Sequence, residues 1–274
     1  MSKTRSPWLD AFLIRPGSSV DLEGLDPRDR SLFPDEEAAR AGIVEDAKAI
    51  DALQDRLYAE GRRSLLVVLQ GTDTSGKDGT IRHVFNATGP LGVRVQAFGP
   101  PSREELSHDF LWRVHRACPA KGTIGIFNRS HYEDVLVGRV RGLAPPDTIE
   151  QRYAQINDFE RLLVESGTIV LKLMLNISKA EQGKRLQQRL DDPAKHWKFN
   201  EGDLSDRALW DEYRDAYRIM LERCSTPHAP WRVIPADRKW VRNAAIASVV
   251  RAVLEAMDPQ YPKVDLDPAA ITIL

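Results

Sequence analysis

The chain has 274 residues, 42% apolar and 29% charged, with a net charge of −1 at pH 7. That composition allows a large buried core and gives no overall field to draw in a polyanion, so such a partner would need locally clustered cations. Cys118 and Cys224, with no CxxC or Cys/His spacing, exclude a disulfide framework and a cysteine-based zinc site; no run approaches the roughly 20 apolar residues that cross a bilayer, and "MSKTRSPWLD" lacks the apolar heart of a leader peptide. A cytoplasmic protein with neither membrane nor nucleic-acid partners is the expectation.

Residues 1–34 are rich in turn formers and charge and read as an arm packed on the body. Asp35 to Gly61 has helical spacing and stops at glycine. Short apolar runs follow at 64–70, 93–98, 122–128, 168–175 and 231–236. Helical patterns lie between them at 76–88, 102–117, 131–141, 147–166, 178–191, 205–225 and 239–257. Capping boxes open three of these: Ser102 with Glu105, Thr148 with Gln151, and Ser178 with Glu181. Continuous apolar strands alternating with helices predict an α/β chain, a single domain whose central parallel sheet is covered on both faces. Ligands of such sheets bind beyond the carboxyl ends of the strands.

"LVVLQGTDTSGKDGTIRHVF" (66–85) places a Gly-x-x-x-x-Gly-Lys loop directly after a buried strand and before a helix. Gly71 and Gly76 permit the tight turn. The backbone around Thr74, Ser75, Gly76, Lys77, Asp78, Gly79 and Thr80 can converge on phosphate oxygens, and Lys77 adds a point charge. The residue that usually brings a hydroxyl to Mg²⁺ in such loops is here Asp78, which suits the first turn of a helix better than a ligand role. Asp73, among phosphate-binding amides, argues for a cation between carboxylate and phosphate; an Asx turn is its alternative.

The strand "GTIGIFN" ends in Asn128, where an anionic metal contact would be expected, and is followed by "RSHYED". Asp134 supplies that carboxylate if the segment turns back over the rim, and otherwise starts a helix. Arg129 is a phosphate clamp or a surface ion pair, while His131 and Tyr132 read as packing or hydrogen-bonding residues. Between Lys179 and Lys198 six Lys and Arg outnumber three acids. Arg185 and Arg189 share one helical face, and Lys195, His196 and Lys198 follow on a breaking segment, the pattern of a lid that keeps water from an anhydride. Arg82, His83, Arg139 and Arg141 would extend the cationic track. Trp197 and Phe199 stack a base or pack the lid; Asp237 hydrogen-bonds at the rim or caps the last helix.

"GTDTSGKDGTIRHVF", "FNRSHYEDVLVGRV", "RLDDPAKHWKFNEGD" and "IPADRKWVRN" together resemble the polyphosphate kinase 2 family, in order and over about residues 10–257. The resemblance implies a three-layer P-loop kinase-like fold with a five-stranded parallel sheet and a helical lid at 178–207. It implies Mg²⁺-dependent phosphoryl transfer from inorganic polyphosphate to a nucleotide, with Mn²⁺ as the alternative metal and no phosphoenzyme. Asp73 and Asp134 would then bind metal, Lys77 and Arg129 clamp phosphate, and Arg189 serve as the lid arginine. Asn128 and Glu133 are similar to the class III branch, which accepts nucleoside mono- and diphosphates, adenine nucleotides first and guanine nucleotides second. Glu133 would select the acceptor, orient a metal-bound water or begin a helix. The family also implies a homodimer or homotetramer. An ATP-dependent nucleotide kinase and a non-catalytic binder of polyphosphate or nucleotide are the rival readings.

Overall fold

In the computed structural model, which describes residues 6–265 together with Ile271 and Ile273, five parallel strands form one sheet in the order β2-β3-β1-β4-β5. They are β1 (Ser64–Gln70), β2 (Val93–Ala97), β3 (Ile124–Asn128), β4 (Thr168–Asn176) and β5 (Trp231–Pro235). Alternate side chains of a strand face opposite sides. On β1, Leu65, Val67 and Leu69 enter one core while Leu66 and Val68 enter the other. The first core is roofed by α1 (Glu36–Glu60), α2 (Lys77–Val84) and α9 (Lys239–Met257). The second lies beneath α3 (Trp112–Ala117), α4 (Val137–Val140), α5 (Pro146–Glu165) and α8 (Trp210–Cys224). The result is the expected three-layer α/β fold. The segment expected as a lid forms α6 (Lys179–Asp191), a 3-10 turn over Pro193–Lys198, and α7 (Glu201–Ala208).

The arm packs where the sheet needs cover. Val233 N–H donates to the Phe12 carbonyl at 3.0 Å and Ile14 N–H to the Trp231 carbonyl at 2.9 Å, so the outer edge of β5 is paired.

Three predicted helices are interrupted. The Ser102–Glu105 box is complete, but it closes only a 3-10 turn, and the helix begins again at Trp112. The 131–141 pattern divides into a 3-10 turn over His131–Asp134 and the short α4, because His131 and Tyr132 turn into the core. The 205–225 pattern breaks at Leu209, after a helix that already begins at Glu201 under an Asn200 cap. Helix α5 opens on Pro146, not on Thr148, since proline at the first helical position needs no N–H partner. At α6, Ser178 Oγ caps the Glu181 amide, but the Ser178 amide donates to Asp237 Oδ1 at 2.7 Å and not to Glu181. Asp237 thus ties the start of α6 to the end of β5, which answers its open role.

Candidate active site

The P-loop follows β1 as a tight turn. Gly71 has φ 146°, and a Cβ there would lie 2.8 Å from the Leu175 carbonyl. Thr74 adopts φ 63°, a left-handed conformation that costs a non-glycine residue about 1–3 kcal/mol. Lys77 Nζ donates to the carbonyls of Gly71 at 2.6 Å and Thr72 at 3.2 Å. Burial, and then the neighbouring Arg129 charge, push its pKa down to about 8. The buried hydroxyls of Thr72, Thr74, Ser75 and Thr80 find no partner among the described residues.

The opposite rim is joined to this loop. Gln70 Nε2 donates to Ser130 Oγ at 3.0 Å and Asn128 Nδ2 to Asp78 Oδ1 at 2.6 Å. Arg129 also has a left-handed backbone, φ 63°, which turns its side chain back across the rim. Its guanidinium is shared between Asp73 and Glu133, the latter at 3.0 Å. Burial alone would lower the Arg129 pKa, but Glu133 and Asp73 outweigh it and keep the group firmly cationic.

Beneath this rim lies a cluster with no solvent access. Lys172 Nζ donates to Glu160 Oε2 at 2.5 Å, to Tyr132 Oη at 2.8 Å and to the Cys224 carbonyl at 2.6 Å. Tyr132 Oη donates to Glu160 Oε1 at 2.8 Å, and His131 Nε2 lies 3.3 Å from the same oxygen. Burial would raise the Glu160 pKa; Lys172 and then His131 reverse that, so the carboxylate stays ionised. The sequence reading of His131 and Tyr132 as packing or hydrogen-bonding residues fits this cluster, in which both hold the loop that carries Arg129.

The main cavity holds about 670 Å³. Of the expected residues, Asp73, Thr74, Gly76, Lys77, Asp78, Gly79, His83, Arg129, Arg185, Arg189, Lys195 and Lys198 line it. Gly71, Asp73, Arg129 and Glu133 line a narrow adjoining crevice with Tyr213 and Tyr217. Ser75 and Thr80 are buried behind the loop, and Arg82 faces outward.

Asp134 lines neither space. Its carboxylate faces Arg152, with Oδ1 3.4 Å from the guanidinium. Burial raises its pKa, while Arg152 and Arg113 oppose that rise. The structure therefore does not bring Asp73 and Asp134 to one cavity wall, as the sequence reading required. Among the described residues, no group of three or more His, Cys, Asp or Glu is placed to hold a metal by itself.

Several cations expected to be free are already paired. Arg139 meets Glu150, Arg141 meets Asp206, Arg189 meets Asp203, and Lys195 meets Asp192. Trp197 is 79% exposed, with the Lys198 ammonium over its ring, so it does not pack the lid.

The sequence reading missed the contribution of α9. Lys239, Trp240, Arg242 and Asn243 line the main cavity, and Arg40 reaches it from α1. A usable signal was present, since "DRKWVRN" places two cations in the first turn of a helix that follows a strand ending at the ligand rim.

A phosphate loop after β1, a sheet in this order and a cation-lined cavity define a P-loop phosphotransferase. The family model described as polyphosphate kinase 2 matches residues 34–264. An AMP/ADP-polyphosphate phosphotransferase of Meiothermus ruber is 48% identical over 92% of this chain and 95% of its own. An ADP-polyphosphate phosphotransferase of Rhodopseudomonas palustris is 36% identical over 92% of this chain and 91% of its own. The crystal structure of polyphosphate kinase 2 from Arthrobacter aurescens superposes with a TM-score of 0.91 at 46% identity, covering 94% of this chain and 93% of that one. The chain belongs to the polyphosphate kinase 2 family, and so is a polyphosphate-dependent nucleotide phosphotransferase.

Proposed function

We propose that the protein transfers the terminal phosphoryl group of inorganic polyphosphate to AMP and to ADP, yielding ADP and ATP, with the reverse reaction chemically open. The observation that carries this reading is the P-loop itself, with Thr74, whose hydroxyl finds no partner among the described residues, and the buried Lys77 both lining a cation-lined cavity. Relatives named for AMP and ADP support both acceptors. Guanine nucleotides are the secondary acceptors in this reading, and one relative is named for GDP. A dimer or tetramer belongs to the same proposal, and light scattering reads it.

Lys77 would hold a phosphate of the reacting pair. Asp73 and Arg129 line both the cavity and the crevice, so a donor chain in the first and an acceptor at the mouth of the second would meet beside Arg129. Glu133 holds the other side of that guanidinium, and through it the acceptor side of the site.

A divalent metal is implied by this class of transfer, and Mg²⁺ is the proposed ion, with Mn²⁺ as its substitute. The residues fit such a group. Asp73 and the Thr74 hydroxyl are hard oxygen donors on the same cavity wall, and Mg²⁺ is ordinarily bound by one or two carboxylates completed by phosphates and water. When bound, it neutralises charge on the transferring group. Asp73 is the proposed protein ligand; Asp134 joins it only if its carboxylate turns from Arg152.

The test is chromatographic detection of ADP and ATP from AMP, long-chain polyphosphate and Mg²⁺. Formation of both supports the reading. Equal ADP formation with ATP as sole donor would favour the ATP-dependent kinase, and binding without turnover would favour the non-catalytic binder.

A further inference from the structure

Arg185 reads in the sequence as one of the lid cations that meet a polyanion, but its surroundings assign it elsewhere. A guanidinium has five N–H donors. Nε donates to Glu181 at 2.8 Å. One terminal nitrogen donates to the carbonyls of Thr74 at 3.0 Å and Ser75 at 3.2 Å. The other donates to the carbonyls of Ala236 at 2.8 Å and Asp237 at 2.7 Å. Every donor is engaged by protein, and none is left for a phosphate oxygen.

Arg242, from the first turn of α9, reaches the same loop and donates to the Ser75 carbonyl at 3.0 Å. Its other bonds go to Asn243 Oδ1, and among the described residues no carboxylate pairs with it. The loop is shaped around this side chain, because a Cβ at Gly76 would collide with its guanidinium and one at Gly79 would press on it at 3.1 Å. Burial, and then the Arg185 charge, bring its pKa down to about 9, so it stays cationic at neutral pH.

In a trans peptide the carbonyl and the following N–H point in opposite directions. Drawing the Thr74 and Ser75 carbonyls toward the two arginines therefore turns the amides of Ser75 and Gly76 away from them. The Ser75 amide closes onto the Thr72 carbonyl at 3.2 Å. Among the described residues, the amides of Gly76, Lys77 and Asp78 meet no acceptor. Gly76, Lys77 and Asp78 all line the main cavity.

We propose that Arg185 and Arg242 are positioning residues, which set the orientation of the P-loop amides by gripping the loop's carbonyls, and that Arg185 does so without touching phosphate. The inference deepens the proposed function and rests on its assignment of the P-loop as the phosphate site.

The test is calorimetric binding of tripolyphosphate at several salt concentrations, with thermal melts and circular dichroism as folding controls. Arg185→Lys keeps the charge but brings three donors to a place that uses five. It should bind about 10- to 100-fold more weakly, the order of loss that follows small misplacement. The slope of log Kd against log salt should match wild type, since loss of a cationic contact with phosphate would flatten that slope and none is lost. Arg185→Met should behave alike, and where it does not fold, Arg185→Lys carries the test. Lys77→Ala, by contrast, should lose affinity and slope together. Wild-type affinity in Arg185→Lys, or a flattened slope in Arg185→Met, would overturn the inference alone. A wild-type chain that does not bind tripolyphosphate would overturn the functional reading beneath it, and the inference with it.

Discussion

At the P-loop rim, guanidinium groups grip backbone carbonyls, and the side chains of Asp73, Thr74 and Lys77 remain at the cavity. At the Arg129–Asp134 rim the anchors are side chains, with His131 and Tyr132 bound to a carboxylate and an ammonium that are wholly buried. The two rims meet the same ligand space, yet damage to them should read out differently. A rim held by its backbone can lose a side chain and stay folded. A rim held through a buried ion pair cannot lose a partner without stranding a charge in the core.

The largest effect expected from this contrast is on stability. Lys172→Met removes the buried ammonium that keeps Glu160 ionised, leaving only His131 and Tyr132 beside that carboxylate, and should destabilise the fold by about 3–5 kcal/mol in denaturant unfolding. A loss below about 1 kcal/mol would mean that the cluster does not anchor the second rim. Next in size is Lys77→Ala, which should leave the melting temperature near wild type and lower kcat/KM by about 10²–10³-fold, the range for removing a preorganised charge from the transition state.

A pair of carboxylate variants sharpens the comparison further. Asp73→Asn should cost about tenfold more in kcat than Asp134→Asn, because only Asp73 lines the cavity and would lie against the transferring group. Equal losses would return Asp134 to the metal site that the sequence reading gave it.

Lys77 also predicts pH dependence. Its ammonium binds phosphate, and in the free protein its pKa is about 8, so tripolyphosphate affinity should fall as pH rises past 8. Stability moves the other way. Between about 8 and 10.5 the unfolded chain holds more protons at this lysine than the folded one, so this group alone makes stability increase with pH. The smallest effect expected is that of Asp206→Asn, which removes the half-exposed pair with Arg141 and should change stability by no more than about 1 kcal/mol.

Four strands were legible because their largely apolar runs are buried on both faces, while the edge strand β2 is partly exposed and shows only alternating apolar residues. The P-loop was legible because glycine spacing and position after β1 are properties of the chain itself. Helix interruptions at 108–111, 135–136 and 209 were not, since tertiary demands decide them; the turn at His131–Asp134 follows from Glu160, far along the chain. Which cations face ligand was also hidden. Arg185 and Arg189 sit four residues apart on one helix and both line the cavity, yet the donors of the first are spent on Glu181 and backbone carbonyls while the second is paired with Asp203. Arg242 escaped notice because an arginine in an apolar helix shows its purpose only when Gly76 lies against it.

The most direct test of the account follows the phosphorus atom. With polyphosphate labelled by ³²P, unlabelled AMP and Mg²⁺, the wild-type protein should place label in the β-phosphate of ADP, and Lys77→Ala should nearly abolish that transfer. ADP formed without label, or undiminished labelling in Lys77→Ala, would contradict it.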